Sequence, residues 1–134
     1  MNREDLAFES AVIQKFAFIG EYGFLPTQRS LTTVRFESDK VFVEIFHGLK
    51  DYEVGIRFGS KDRNKTLSFR LFLKHFFPGS IEQLGNCIAD TPAAVIETVT
   101  KAAQMFQATG EGIVDADMRV FDEMDKVLWW DADK

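Results

Sequence analysis

The sequence predicts one α+β domain over residues 1–134: an N-terminal helix, a four-stranded antiparallel β-meander, and two to three C-terminal helices packed on the sheet. Three observations lead there. Apolar side chains alternate with a period of two between Val34 and Leu73. Tyr52, Val54, Ile56 and Phe58 share one face, Glu53, Gly55 and Arg57 the other, and Leu67, Phe69, Leu71 and Leu73 repeat the pattern. The connections between these runs are too short for parallel crossovers. On either side the apolar spacing changes to three and four, the period of helices.

Residues 4–20 read as the first helix, because Phe8, Val12, Phe16 and Ile19 fall on one face and Leu6, Ile13 and Ala17 widen the stripe. Glu4, Asp5 and Glu9 sit near its start, where the helix dipole favours acids. Gly23 suits a left-handed cap, and Pro26 stops any continuation. Strands are expected over residues 30–36, 41–46, 52–58 and 66–73, joined by polar or glycine-containing turns. The second is apolar on both faces apart from Glu44, which implies cover on both sides. Residues 75–79 form a break, and Ser80 caps a short helix over 81–88. Thr91 as cap and Pro92 at the first helical position start a helix over 93–108, with Val95, Val99, Ala102, Ala103 and Phe106 inward and Gly110 as its stop. A last helix is expected over 115–129, with Met118, Phe121, Met124 or Asp125, and Leu128 at helical spacing.

Fourteen phenylalanines imply a bulky aromatic core or an exposed apolar patch. No apolar run approaches the roughly 20 residues of a membrane span. The charged start, Met1 to Asp5, is unlike a secretion signal. The single Cys87 excludes an internal disulfide, and a cytoplasmic setting is expected. A net charge of −5 argues against nonspecific nucleic-acid binding. That charge is uneven: residues 57–74 sum to +5 and residues 111–134 to −5. Either the two segments neutralise each other in the fold, or one of them faces a partner.

No residue constellation dictates a chemistry, and neither catalytic residues, metal nor cofactor are expected. His47 and His75 lack a ligand-spaced partner, so a surface or half-buried histidine is the ordinary reading. Cys87 lies between apolar residues without a basic neighbour in sequence, as an inert buried thiol does. Asp115 and Asp117 invite a metal reading, but the glycine and closing glutamate of a calcium loop are absent. The basic loop of Lys61, Arg63 and Lys65 could touch phosphate, yet lacks exposed stacking aromatics. Trp129 and Trp130 stand among acids, as protein-binding anchors do, or else fold back over the sheet as a cap.

The segment from Phe16 through Ile19, Tyr22, Gly23 and Phe24, followed by the strands around Val34–Ile45 and Tyr52–Phe58, resembles the opening of small bacterial proteins encoded beside polymorphic or contact-dependent toxins. The likeness covers about residues 8–60. It implies an immunity protein that binds and blocks one cognate toxin in the cytosol. Such families share no catalytic residues, so no role passes to a particular position here.

Three readings follow. The first is a non-catalytic binding protein whose acidic segment meets a basic toxin domain through Asp117, Asp122, Asp125, Trp129, Trp130 and Asp131. The second is a small-ligand binder or enzyme with a phenylalanine-lined pocket between sheet and helices, Glu44 or His47 supplying the polar group. The third is a homo-oligomer joining the basic hairpin of one copy to the acidic segment of another.

Overall fold

The computed structural model describes residues 6–63, 65–85 and 87–128. Among these residues five strands lie side by side in chain order, all antiparallel: β1 (Leu25–Arg29), β2 (Thr33–Glu37), β3 (Val41–His47), β4 (Val54–Ser60) and β5 (Leu67–Ser68). The helices are α1 (Phe8–Lys15), followed by a 3-10 turn (Ala17–Tyr22), then α2 (Phe69–Phe76), α3 (Ser80–Leu84), α4 (Pro92–Thr109), α5 (Glu111–Val114) and α6 (Met118–Leu128). The α+β class and the antiparallel sheet agree with the sequence reading.

The period of two decides which side of the sheet holds the core. Val34 and Phe36 of β2, Val43 and Ile45 of β3, and Val54, Ile56 and Phe58 of β4 are all buried. Against this face pack Val95, Val99 and Phe106 of α4, Phe69, Phe72 and Leu73 of α2, and Phe121 and Met124 of α6, all buried too. The aromatic rings meet in a continuous row. Phe16 touches Phe106, Phe106 touches Phe69, Phe69 stacks on Phe72, and Phe58 stands edge-on to both Phe72 and Phe121. Most of the phenylalanines are therefore core, whereas Phe42 and Phe46 lie on the opposite face of the sheet and Phe77 is exposed. Each buried ring contributes about 2 kcal/mol through area removed from water, before entropy is counted.

Two strands differ from expectation. The expected fourth strand over 66–73 is a two-residue strand followed by α2. The buried residues are Phe69, Phe72 and Leu73, with Phe76 packed partly beneath, which is helical spacing and not alternation. Ser68 starts the helix, its hydroxyl accepting the Leu71 N–H. An additional strand, β1, precedes the first expected one. Pro26 lies in it, and the pairing with β2 slips between Pro26 and Gln28. Proline and a bulge are tolerated there because β1 is an edge.

Other boundaries shift for local reasons. Ser30 to Thr33 is a hairpin turn, where the Ser30 hydroxyl accepts the Thr33 N–H at 3.0 Å, so β2 starts at Thr33. The first helix ends at Lys15, and the 3-10 turn puts Phe16 and Ile19, three apart, into the core together. Gly23 takes the left-handed conformation expected of it, at φ 86°. Ser80 makes no side-chain cap. Thr91 does, accepting the Ala94 N–H at 3.1 Å, and α4 begins at Pro92 and ends at Gly110 as expected. The last helix starts at Met118, not at residue 115, and the Met118 side chain is exposed.

Beyond β5 the open edge of β4 is closed from another part of the chain. Val54 donates its N–H to the Cys87 carbonyl, and Ala89 donates to the Tyr52 carbonyl, each at 2.8 Å. A short strip around residues 87–89 thus covers one end of β4, and β5 covers the other.

Candidate functional site

The acidic flank of α6 meets the basic loop after β4 within the same molecule. Met118, Asp122 and Asp125 lie four and three residues apart, on one side of the helix. The Arg63 guanidinium sits across them: Nη1 donates to Asp125 Oδ2 at 2.6 Å, Nη2 to Asp122 Oδ1 at 2.7 Å, and the Met118 sulfur lies 3.8 Å from Nη2. Lys65 Nζ is 3.6 Å from Asp125 Oδ1, too long for a hydrogen bond. Asp122 holds the Arg63 proton more firmly, pushing the guanidinium above its ordinary pKa, and Asp125 adds to this. The Asp122 side chain nevertheless stays 62% exposed.

The neighbouring acids also have partners. Asp117 accepts the Arg119 guanidinium and backbone N–H, both at 3.0 Å, and Arg119 holds its carboxyl below the ordinary value. Glu123 lies 3.3 Å from Lys126 Nζ and 3.2 Å from His75 Nε2; Lys126 first, then His75, lower its pKa. The positive and negative segments thus neutralise each other in part. Of the partner-contact residues read from sequence, Asp122 and Asp125 come together, and Asp117 precedes the same helix. Trp129, Trp130 and Asp131 lie outside the described residues.

A second surface is the face of the sheet turned away from the helices. Arg35, Glu44 and Arg57 stand in register across β2, β3 and β4. Glu44 accepts from Arg35 Nη1 at 3.0 Å and from Arg57 Nε at 2.5 Å. The two guanidiniums lean opposite ways, Arg35 over the Phe42 ring (4.0 Å) and Arg57 over the Phe46 ring (4.6 Å). Each ring lies across a glycine on β4, Phe42 opposite Gly59 and Phe46 opposite Gly55. This explains how β3 can be apolar on both sides: arginines roof its outer rings. Glu37 completes the array, accepting from Thr27 at 2.8 Å and from Arg35 at 3.1 Å. The Thr27 hydroxyl, then Arg35 and Lys61, hold the Glu37 carboxyl below its ordinary value.

Glu44 therefore does not line a pocket between sheet and helices. Val43 and Ile45 take the core side, so alternation turns Glu44 outward. The cavity under β4, lined by Val54, Ile56, Phe69, Arg70, Cys87 and Ala102 among others, holds about 20 Å³. That is the scale of a water molecule, far below the several hundred Å³ of ligand pockets.

His47 is buried rather than half-exposed, at 2%. Its Nε2 lies 2.7 Å from the Ala89 carbonyl, which can only accept, so Nε2 carries the proton. The ring stacks on Phe8 at 5.1 Å. Its position pins the strip around residue 89 to the end of β3. Cys87 is buried, and burial pushes its thiol up, against the pull of Arg70. Arg70 Nη2 is 3.4 Å from its sulfur, a neighbour that the local sequence hides. No group of three His, Cys, Asp or Glu side chains among the described residues is placed to hold a metal, and none of the described helices is long and apolar enough to cross a membrane. No family model, curated protein or solved structure matches the chain.

Proposed function

We propose that this chain is a non-catalytic cytosolic binding protein that neutralises a toxin-like protein partner by direct contact. The resemblance over residues 8–60 implies that role. The observation that supports it is the state of Asp122. Its carboxylate is held by Arg63 at 2.7 Å, yet its side chain remains 62% exposed. A carboxylate fixed before the partner arrives, with lone pairs still open, accepts a cation at small cost in side-chain entropy. Met118, 40% exposed on the same side of α6, adds apolar contact. Asp117, Asp122, Asp125, Trp129, Trp130 and Asp131 form the contact set of this reading. Pairing with Arg63, Arg119 and Lys126 moderates the field that the segment projects. Recognition then rests on placed carboxylates more than on long-range steering.

Affinity capture at low and high salt, followed by association kinetics, tests the reading. The expected result is one stoichiometric basic protein released by high salt, and slower association with Asp122→Lys. Capture of no protein, or association unchanged in that variant, overturns it.

A further inference from the structure

The outward face of β2, β3 and β4 carries no helix or strand among the described residues, only the loop at Lys65 beside Gly59, although helices cover the other face. We propose that it is a second docking surface, which takes a protein segment bearing carboxylates. This inference is independent of the α6 reading.

The first reason is unspent hydrogen-bonding capacity. Arg57 uses only Nε on Glu44; its two terminal nitrogens meet no acceptor among the described residues, and its side chain is 40% exposed. Arg35 spends Nε on Glu37 and Nη1 on Glu44, which leaves Nη2. A guanidinium edge with both terminal nitrogens open is the fork that takes a carboxylate bidentately. The second reason is rigidity. Each guanidinium rests on a phenylalanine ring and is tied to Glu44, so its side-chain freedom is lost on folding and not on binding. Arginine and aromatic side chains set this way are the usual anchors of protein interfaces.

The third reason is charge. Arg35, Arg57 and Lys61 outnumber Glu37 and Glu44, which makes a positive island on a chain of net charge −5. At its border a depression of about 290 Å³ is lined by Arg35, Phe42, Ser60, Lys61, Lys65 and Thr66, with no acid among them. A surplus this small favours carboxylates over a nucleic-acid backbone, which engages about six to ten cations. Three strands span about 10 Å between β2 and β4, the width of one helix or extended segment.

The test is NMR titration of the isotope-labelled protein, following the arginine Nε–Hε signals and the amides of β2, β3 and β4. The probe is a short poly-glutamate peptide, with poly-lysine and oligothymidylate as controls. Saturable shifts from poly-glutamate alone, confined to the outer face, are expected. They should weaken about tenfold in Arg57→Gln, the loss of roughly one charge-assisted contact. Lys61→Gln, on an exposed side chain, gives a second reading with the same expected direction should Arg57→Gln disturb the sheet. No shifts at Arg35 and Arg57, equal response to oligothymidylate, or undiminished binding in the folded variants overturns the proposal.

Discussion

Arg63 and Asp125, 62 residues apart in the chain, are joined by a hydrogen bond of 2.6 Å between guanidinium and carboxylate. The bond ties the loop after β4 to the last described helix. Both groups are about one-quarter exposed, so solvent screens them only in part. A double-mutant cycle between Arg63→Ala and Asp125→Ala is expected to give a coupling of about 1 kcal/mol in low salt, shrinking as salt is added. Denaturant titration of the four proteins measures it. A coupling near zero would mean that the clasp contributes nothing to stability.

The start of α2 offers a direct contrast between strand and helix. Leu71→Ser touches a half-buried position and should cost about 1 kcal/mol or less, whereas Phe72→Ala empties a buried ring site and should cost about 3–5 kcal/mol. Alternation over residues 67–73 predicts the opposite order. Ser68→Ala should cost about 1 kcal/mol through loss of the cap. Thermal or denaturant unfolding of the three variants decides the matter.

That contrast also shows where sequence reading reached its limit. Over residues 67–73 the apolar residues satisfy both periods, because Leu67, Phe69, Leu71, Phe72 and Leu73 crowd together. What separates the two is Ser68, whose hydroxyl accepts the Leu71 N–H three residues on, a cap signal easily lost beside phenylalanines. β1 was hidden because Pro26 reads as a stop, which holds for central strands but not for edges. The inward residues of α4, with the cap at Thr91, the proline at 92 and the stop at Gly110, were legible because every local cue agreed. The charge asymmetry was legible as well, but not its partial cancellation through Arg63, since a contact across 62 residues leaves no local trace. The row of Arg35, Glu44 and Arg57 depends on strand register, which the turn lengths alone did not specify.

The outer face predicts an unequal pair of glycine variants. The atoms nearest a Cβ at Gly55 all belong to the Phe46 ring, which can turn away. A Cβ at Gly59 would meet the Phe42 ring and also the Lys65 backbone carbonyl, which cannot yield without moving the loop. Gly59→Ala should therefore cost about 2–3 kcal/mol and Gly55→Ala about 1 kcal/mol. Equal losses in urea unfolding would contradict the placement of Lys65.

The Thr27 hydroxyl is the main cause of the lowered Glu37 pKa. A carboxyl whose folded pKa lies below its unfolded value adds stability that is fully present above the unfolded pKa, near 4.5, and is lost as pH falls through the folded one. Thr27→Val should raise the Glu37 titration towards its ordinary value and move the acid-unfolding midpoint to higher pH. Carboxyl NMR titration checks the first and circular dichroism against pH the second. An unmoved Glu37 titration would remove Thr27 from the account.

The closure of β4 has a consequence for the chain as it leaves the ribosome. Synthesis runs from the N-terminus, at about 5–20 residues per second. β1 to β4 emerge first as a hairpin ladder, while both pieces that seal the edge of β4, β5 and the strip at residues 87–89, follow later. During those seconds the nascent sheet presents a bare row of backbone donors and acceptors to any neighbouring chain. A chain that ended before residue 67 would keep that edge open, and the residues that follow shield it.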